Sequence, residues 1–301
     1  MERISHTRES TLPIFDRSYR AYDGQLRTGL AWWVIVKQEM RVIFPTRSFL
    51  VLLGFCLAHV VLRLLQIVAF DILASNPESS IARLVREFPL KVDSELFYQF
   101  LTTQSFLLFG MILYAGAGMI CDDVRNNLME VYFSKPITWV DYTLGKILTL
   151  VLLGLGLSAA PAILLVVLHN ILAPGWETLE AAIEWPLAIS LYSCLIVVPC
   201  SLVVLAGSAL LKNQRDVTIS VVVLVIVSFV LPESVSNIFD NTWIQIASIP
   251  GSIFNIGAQL FSVDSEPLDL SPWHSVIVVV SISLLFLGVI CRKVHSCEVE
   301  V

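Results

Sequence analysis

The sequence predicts an all-α integral membrane protein built on six transmembrane helices. Three observations predict it. The 301 residues are 56% hydrophobic and only 15% charged, with a mean hydropathy of +0.79, where a soluble domain carries about 25% charged residues. The apolar residues gather into six blocks that read as membrane spans, which need about 20 mostly apolar residues or somewhat fewer when short, as the fifth block is. Lys and Arg alternate between rich and poor connections along the chain.

The spans read as 48–70, 98–120, 147–168, 186–211, 217–231 and 273–291, within a transmembrane domain of 46–292. The β-branched fifth span is assigned to helix, because an isolated strand in lipid leaves its backbone unpaired. Segments 1–47, 121–146, 212–216 and 292–301 hold fifteen of the nineteen basic residues; the alternate connections 71–97, 169–185 and 232–272 hold three, and Arg63 lies inside the first span. That asymmetry places the rich segments, with both termini, in the cytoplasm. Thirteen of the twenty-five acids then fall outside, and Trp176, Trp185, Trp243 and Trp273 flank spans on that face. The polar first 47 residues contain no apolar signal-peptide core, so the first span is expected to direct insertion.

Beyond a cytoplasmic tail of 1–28, residues 29–45 read as an amphipathic helix along the inner surface, with Trp33, Val36, Met40 and Ile43 at helical spacing and Pro45 as its end. Asn76 to Phe88 carries a stripe of Ile81, Leu84, Val85 and Phe88 and reads as a short external helix. The long external connection 232–272 is expected to hold one or two short helices dipping into the outer leaflet. Pro161 and Pro199 fall inside spans three and four, where a neighbour must satisfy the freed carbonyl; packing kink and gating hinge both stand. Residues 293–301 form a second cytoplasmic tail.

No catalytic constellation stands out. The five histidines form no HExxH, Gly156-Leu157-Ser158 lacks the glycine that completes a nucleophile elbow, and the six cysteines form no CxxC pair. Gly145-Lys146 follows Val140 where a phosphate loop needs glycine, so no nucleotide site, cofactor or metal is expected in this chain. The net charge of −6 argues against nucleic acid.

Two places carry the candidate sites. His59, Arg63 and Gln66 fall at i, i+4 and i+7 of the first span, on one helix face. An intramembrane charge is costly and is a functional hypothesis by default. Snorkelling or structural pairing is one reading; lining a translocation path or a dimer seam is the other. The inner connection Cys121 to Lys146 reads CDDVRNNLMEVYFSKPITWVDYTLGK. Asp122 and Asp123 open a short helix where its dipole favours acids, Ser134-Lys135-Pro136 breaks the chain, and Trp139, Tyr142 and Lys146 anchor the start of span three. Such a compact hairpin can pass force from a soluble partner to a helix bundle, or be a solvated loop.

This connection resembles the corresponding loop of the ABC-2 type transporter permease family, bacterial six-helix permeases. Asp122, Asp123, Arg125, Glu130, Ser134, Lys135, Pro136, Tyr142, Gly145 and Lys146 fall in register with its pattern, and Tyr19-Arg20-Ala21-Tyr22-Asp23-Gly24 resembles an element that precedes its interface helix. Asn127 departs from a usual glycine, though Asn tolerates the left-handed conformation better than most residues. The resemblance covers residues 19–300. It implies an ATP-driven permease in the bacterial inner membrane, an exporter, with ATP bound by a separate subunit. It implies pairing with a second copy or a paralogue, residues 29–45 as interface helix, and the hairpin as coupling helix. Asp122, Asp123, Arg125 and Glu130 would contact the ATP-binding subunit. A scaffold or channel without energy coupling is the competing expectation, and a membrane enzyme the third.

Overall fold

The computed structural model describes residues 30–75, 92–172, 177–239, 242–263 and 272–299. The expected helix at Asn76–Phe88, the Tyr19–Gly24 element and the tail 1–28 lie outside the described residues. Within them the chain is all-α: α1 (Ala31–Ile43), α2 (Arg47–Ser75), α3 (Ser94–Gly116), α4 (Cys121–Arg125), α5 (Leu128–Phe133), α6 (Trp139–Leu157), α7 (Ala159–Leu172), α8 (Glu177–Leu210) and α9 (Gln214–Phe239). A 3-10 turn at Thr242–Ala247, α10 (Ile249–Leu260) and α11 (Pro272–Val299) complete it. Six helical stretches among these residues are long and apolar enough to cross a membrane: Arg47–Asp71, Ser94–Arg125, Trp139–Leu172, Glu184–Leu210, Gln214–Ser236 and Trp273–Glu298. The protein is a multi-pass membrane protein.

The helix ends depart from hydropathy where local chemistry sets them. Span three starts at Trp139 rather than Ile147, because Thr138 and Asp141 form a reciprocal capping box that starts the helix in a polar stretch. Asp93 caps span two by accepting from the Leu96 amide at 3.1 Å, which draws its start back to Ser94. In span five, the helix runs through Pro232 to Phe239.

Spans two and four are the centre of the bundle. Of their most apolar stretches 61% and 56% is buried, against 11% for span one and 17% for each of spans five and six. Lipid tails are as apolar as leucine, so close packing and polar pairs must hold these helices together. Close packing is visible at Gly154, where a Cβ would meet Val197 of α8 at 2.5 Å. The buried side chains form two clusters. One surrounds Met111, Ile120, Tyr142, Val204 and Ile290 at the end of the bundle that carries the hairpin; the other surrounds Phe97, Phe100, Val166, Tyr192 and Ile256 towards the opposite end, where α10 packs against α8, α9 and α11.

Span three is broken once, at Ser158, which ends α6 with φ −112° and ψ −71°. Pro161, three residues on, has no N–H for the carbonyl of Leu157. The fully buried side chain of Gln104 on span two donates its amide N–H to that carbonyl at 3.0 Å. A neighbouring helix thus supplies the partner the proline removes.

Candidate functional site

The hairpin between spans two and three is two short helices, not one. α4 ends at Arg125, Asn126 and Asn127 turn the chain, and α5 begins at Leu128. Asn127 sits at φ 55°, ψ 28°, the left-handed region that glycine or asparagine adopts at least cost. The start of the hairpin is stapled to span four. Ser208 accepts from the amides of Ile120 and Cys121 at 3.0 and 3.1 Å and donates to Ala117 O at 2.9 Å. Its far end meets the C-terminal helix, where the Trp139 amide donates to Glu298 at 3.3 Å and the Trp139 ring lies 5.5 Å from that of His295.

At the base of the hairpin three charges from three elements converge. Lys146 of α6, 1% exposed, donates to Glu39 of α1 at 2.7 Å and to Asp123 of α4 at 2.6 Å. The Tyr142 hydroxyl donates to the same oxygen of Asp123 at 2.7 Å. The Tyr142 and Tyr132 rings lie 5.2 and 5.9 Å from the ammonium, within cation–π range. Burial pushes the Tyr132 phenol up, so it stays neutral beside this charge. One ammonium thus joins α1, the hairpin and span three.

The approach that allows this is made by Gly145, next to Lys146. A Cβ at Gly145 would stand 2.8 Å from Ile35 Cβ and 3.1 Å from the Trp32 carbonyl, so only glycine lets the α1 backbone lie so close to α6. The buried face of α1 carries Ile35, Val36 and Ile43, with Glu39 among them. This face is rotated from the expected stripe: Val36 and Ile43 belong to it, Met40 is half-buried, and Trp33 is 47% exposed. We predict that Gly145→Val pushes α1 off α6, at about 1–3 kcal/mol for overpacking. The readout is faster tryptic cleavage at Lys37 and Arg41, both exposed on the outer face of α1.

The structure separates the four hairpin residues singled out in the sequence. Asp123 is buried and spoken for by Lys146 and Tyr142; it does not project outward. Arg125 and Glu130 are exposed, Asp122 is half-exposed, and Arg125 pairs with Asp122 at 3.2 Å on the surface. Such a surface pair contributes little to stability, which leaves both groups available to a partner. Val124, Leu128 and Val131 are exposed beside them, giving the tip a mixed polar and apolar face.

The first-span stripe also divides. His59 turns inward: its Nδ1 lies 2.7 Å from Gln104 Oε1, and its ring stacks on Phe100 at 5.1 Å. Because the Gln104 amide nitrogen is committed to Leu157 O, its oxygen faces His59, and Nδ1 must be the donor. Arg63 donates to Gln66 at 2.9 Å on the same helix. Sequence reasoning missed a second buried pair, His169 with Asp71, Nδ1 to Oδ1 at 3.0 Å, which ties the ends of spans one and three beside the Trp185 ring. Each sits at the margin of its span, where a polar residue reads as ordinary. Among the described residues no cluster of His, Cys, Asp or Glu could hold a metal ion. Comparison of the sequence with protein-family models and with curated proteins finds no match.

Proposed function

We propose that this chain is the membrane-spanning permease subunit of an ABC transporter, an exporter that pairs with a second copy or a paralogue in the bacterial inner membrane, termini inside. ATP is bound and hydrolysed by a separate subunit that docks on the hairpin. The observation that carries this reading is the lock at the hairpin base. A short two-helix knob is fixed by Lys146, through Asp123, to span three, and through Glu39 to α1. A push on the knob would therefore reach span three without being lost in a loose connection.

The tip suits a protein partner rather than lipid or water alone. Arg125, Glu130 and Asp122 stand among exposed Val124, Leu128 and Val131, the mixture of apolar contact and polar rim that protein interfaces use. Asp123 acts from behind, as a positioning residue that holds the knob.

The test is co-purification with an ATP-binding subunit encoded beside this chain. Arg125→Glu combined with Glu130→Arg is expected to lower recovery of that subunit at least roughly tenfold, since like charges placed across an interface cost several kcal/mol. Both residues are exposed, so the variant should melt at the wild-type temperature. Recovery unchanged by the double reversal overturns the docking assignment, and absence of any ATPase partner favours an unpowered scaffold or channel.

A further inference from the structure

Arg63 is the one basic residue within the central part of span one, eight residues before Asp71 and so about 12 Å below it at 1.5 Å per residue. Its neighbours Leu62 and Leu65 are 64% and 59% exposed, and span one packs chiefly on α3 and α7 alone. Arg63 is half-buried at the margin of that packed face. A guanidinium at such depth needs an anion or water.

The described residues offer it no anion. Among the described residues no carboxylate lies within ion-pair distance of Arg63, and its one polar partner is the neutral oxygen of Gln66. Asp71, the nearest acid along its own helix, is held by His169. At the same end, Asp93 caps span two and Glu95 accepts from Gln99. Among the described residues, one of the five guanidinium donors is taken, by Gln66, and the others are open.

The side chain also has a membrane face within reach. Gln66, which holds the guanidinium, stands on the same helix face three residues nearer Asp71. A long arginine side chain at this distance from the end of its span can snorkel towards that face. The anions that line a lipid-facing helix near its end are the phosphates of the lipids themselves, and a planar guanidinium fork matches a phosphate in a way a lysine does not.

We propose that Arg63, oriented by Gln66, binds the phosphate of a membrane phospholipid in the leaflet on the Asp71 side. This site is independent of the permease reading and of the hairpin.

The experiment titrates delipidated full-length protein with phosphatidylglycerol, and with diacylglycerol of the same acyl chains, by native mass spectrometry. Wild type should hold phosphatidylglycerol roughly tenfold or more tighter than diacylglycerol, the weight of a charge-assisted hydrogen bond. Arg63→Gln should bring the two lipids level, and Arg63→Lys should keep part of the preference. Gln66→Leu, which retains the charge, should weaken it, and serves where Arg63→Gln fails to fold. Equal phosphatidylglycerol affinity in wild type and Arg63→Gln, or in wild type and Gln66→Leu, overturns the proposal. Inorganic phosphate bound as tightly as the lipid would make this a free-anion site and overturn it. Dissociation of a dimer by Arg63→Gln with lipid binding unchanged would assign the guanidinium to a carboxylate of a second copy, and overturn it as well.

Discussion

Replacing Lys146 with methionine is expected to destabilise the protein by about 3–5 kcal/mol, the usual cost of stranding a buried charge. The side chain is 1% exposed, and its two carboxylates, Glu39 and Asp123, are only 16% and 12% exposed. Without the ammonium these two largely buried acids are left without the cation that both of them pair with. They must either take up a proton or separate, and separation means that α1 or the hairpin leaves span three. Thermal unfolding in detergent reads the loss, and faster tryptic cleavage at Lys37 and Arg41 shows which element has moved.

The cost belongs to the uncompensated acids rather than to any large net stability of the trio. Two carboxylates and an ammonium withdrawn from water pay a desolvation penalty that their mutual attraction does little more than offset. The triple change Glu39→Gln, Asp123→Asn and Lys146→Met should therefore recover most of the loss. A triple variant as unstable as Lys146→Met alone would mean that lysine packing, not charge, holds the junction. Glu39→Gln alone should be mild, because Asp123 still accepts from both Lys146 and Tyr142. If the knob does transmit force, the stable triple variant should assemble with its ATPase and yet couple poorly, since a neutral junction no longer specifies one geometry.

Much of this was legible in the sequence, and the remainder was hidden for identifiable reasons. Six blocks of apolar residues suffice for six membrane helices, because lipid leaves the backbone no alternative to pairing within the segment. The turn inside the hairpin was only half legible: the residues alone read as one short helix from Asp122, and it was the resemblance that marked Asn127, where the backbone reaches φ 55°. The pairing of Lys146 with Asp123 was not legible. Twenty-three residues separate them, and nothing in a one-dimensional pattern says that an acid opening a helix points back into the bundle rather than out towards a partner. Glu39 left one usable signal, since it stands between Val36 and Ile43 on the apolar face of α1. An acid on the buried face of an amphipathic helix asks for a cation across the contact. The stripe of His59, Arg63 and Gln66 shares one helix face, but His59 reaches across to Gln104 while Arg63 and Gln66 pair with each other. Spacing on one helix cannot report what the neighbouring helices offer.

Gln104 shows the same limit and carries the second large effect. A polar residue in span two gives no hint that it serves a proline in span three. Gln104→Leu is expected to cost about 2–6 kcal/mol, because it orphans two groups at once, the Leu157 carbonyl and the His59 Nδ1–H, each at roughly 1–3 kcal/mol. His59→Leu should cost less, since the Leu157 carbonyl keeps its donor. The decisive measurement is a double-mutant cycle with Pro161→Ala. Alanine restores an N–H four residues after Leu157, which lets the helix satisfy its own carbonyl and takes that duty from Gln104. In the Pro161→Ala background Gln104→Leu should lose about 1 kcal/mol or more of its cost, a coupling well outside the few tenths expected of independent sites. Additive costs in thermal unfolding would mean that Gln104 holds spans one and two together through His59 alone, and that the break at Ser158 is tolerated by other means.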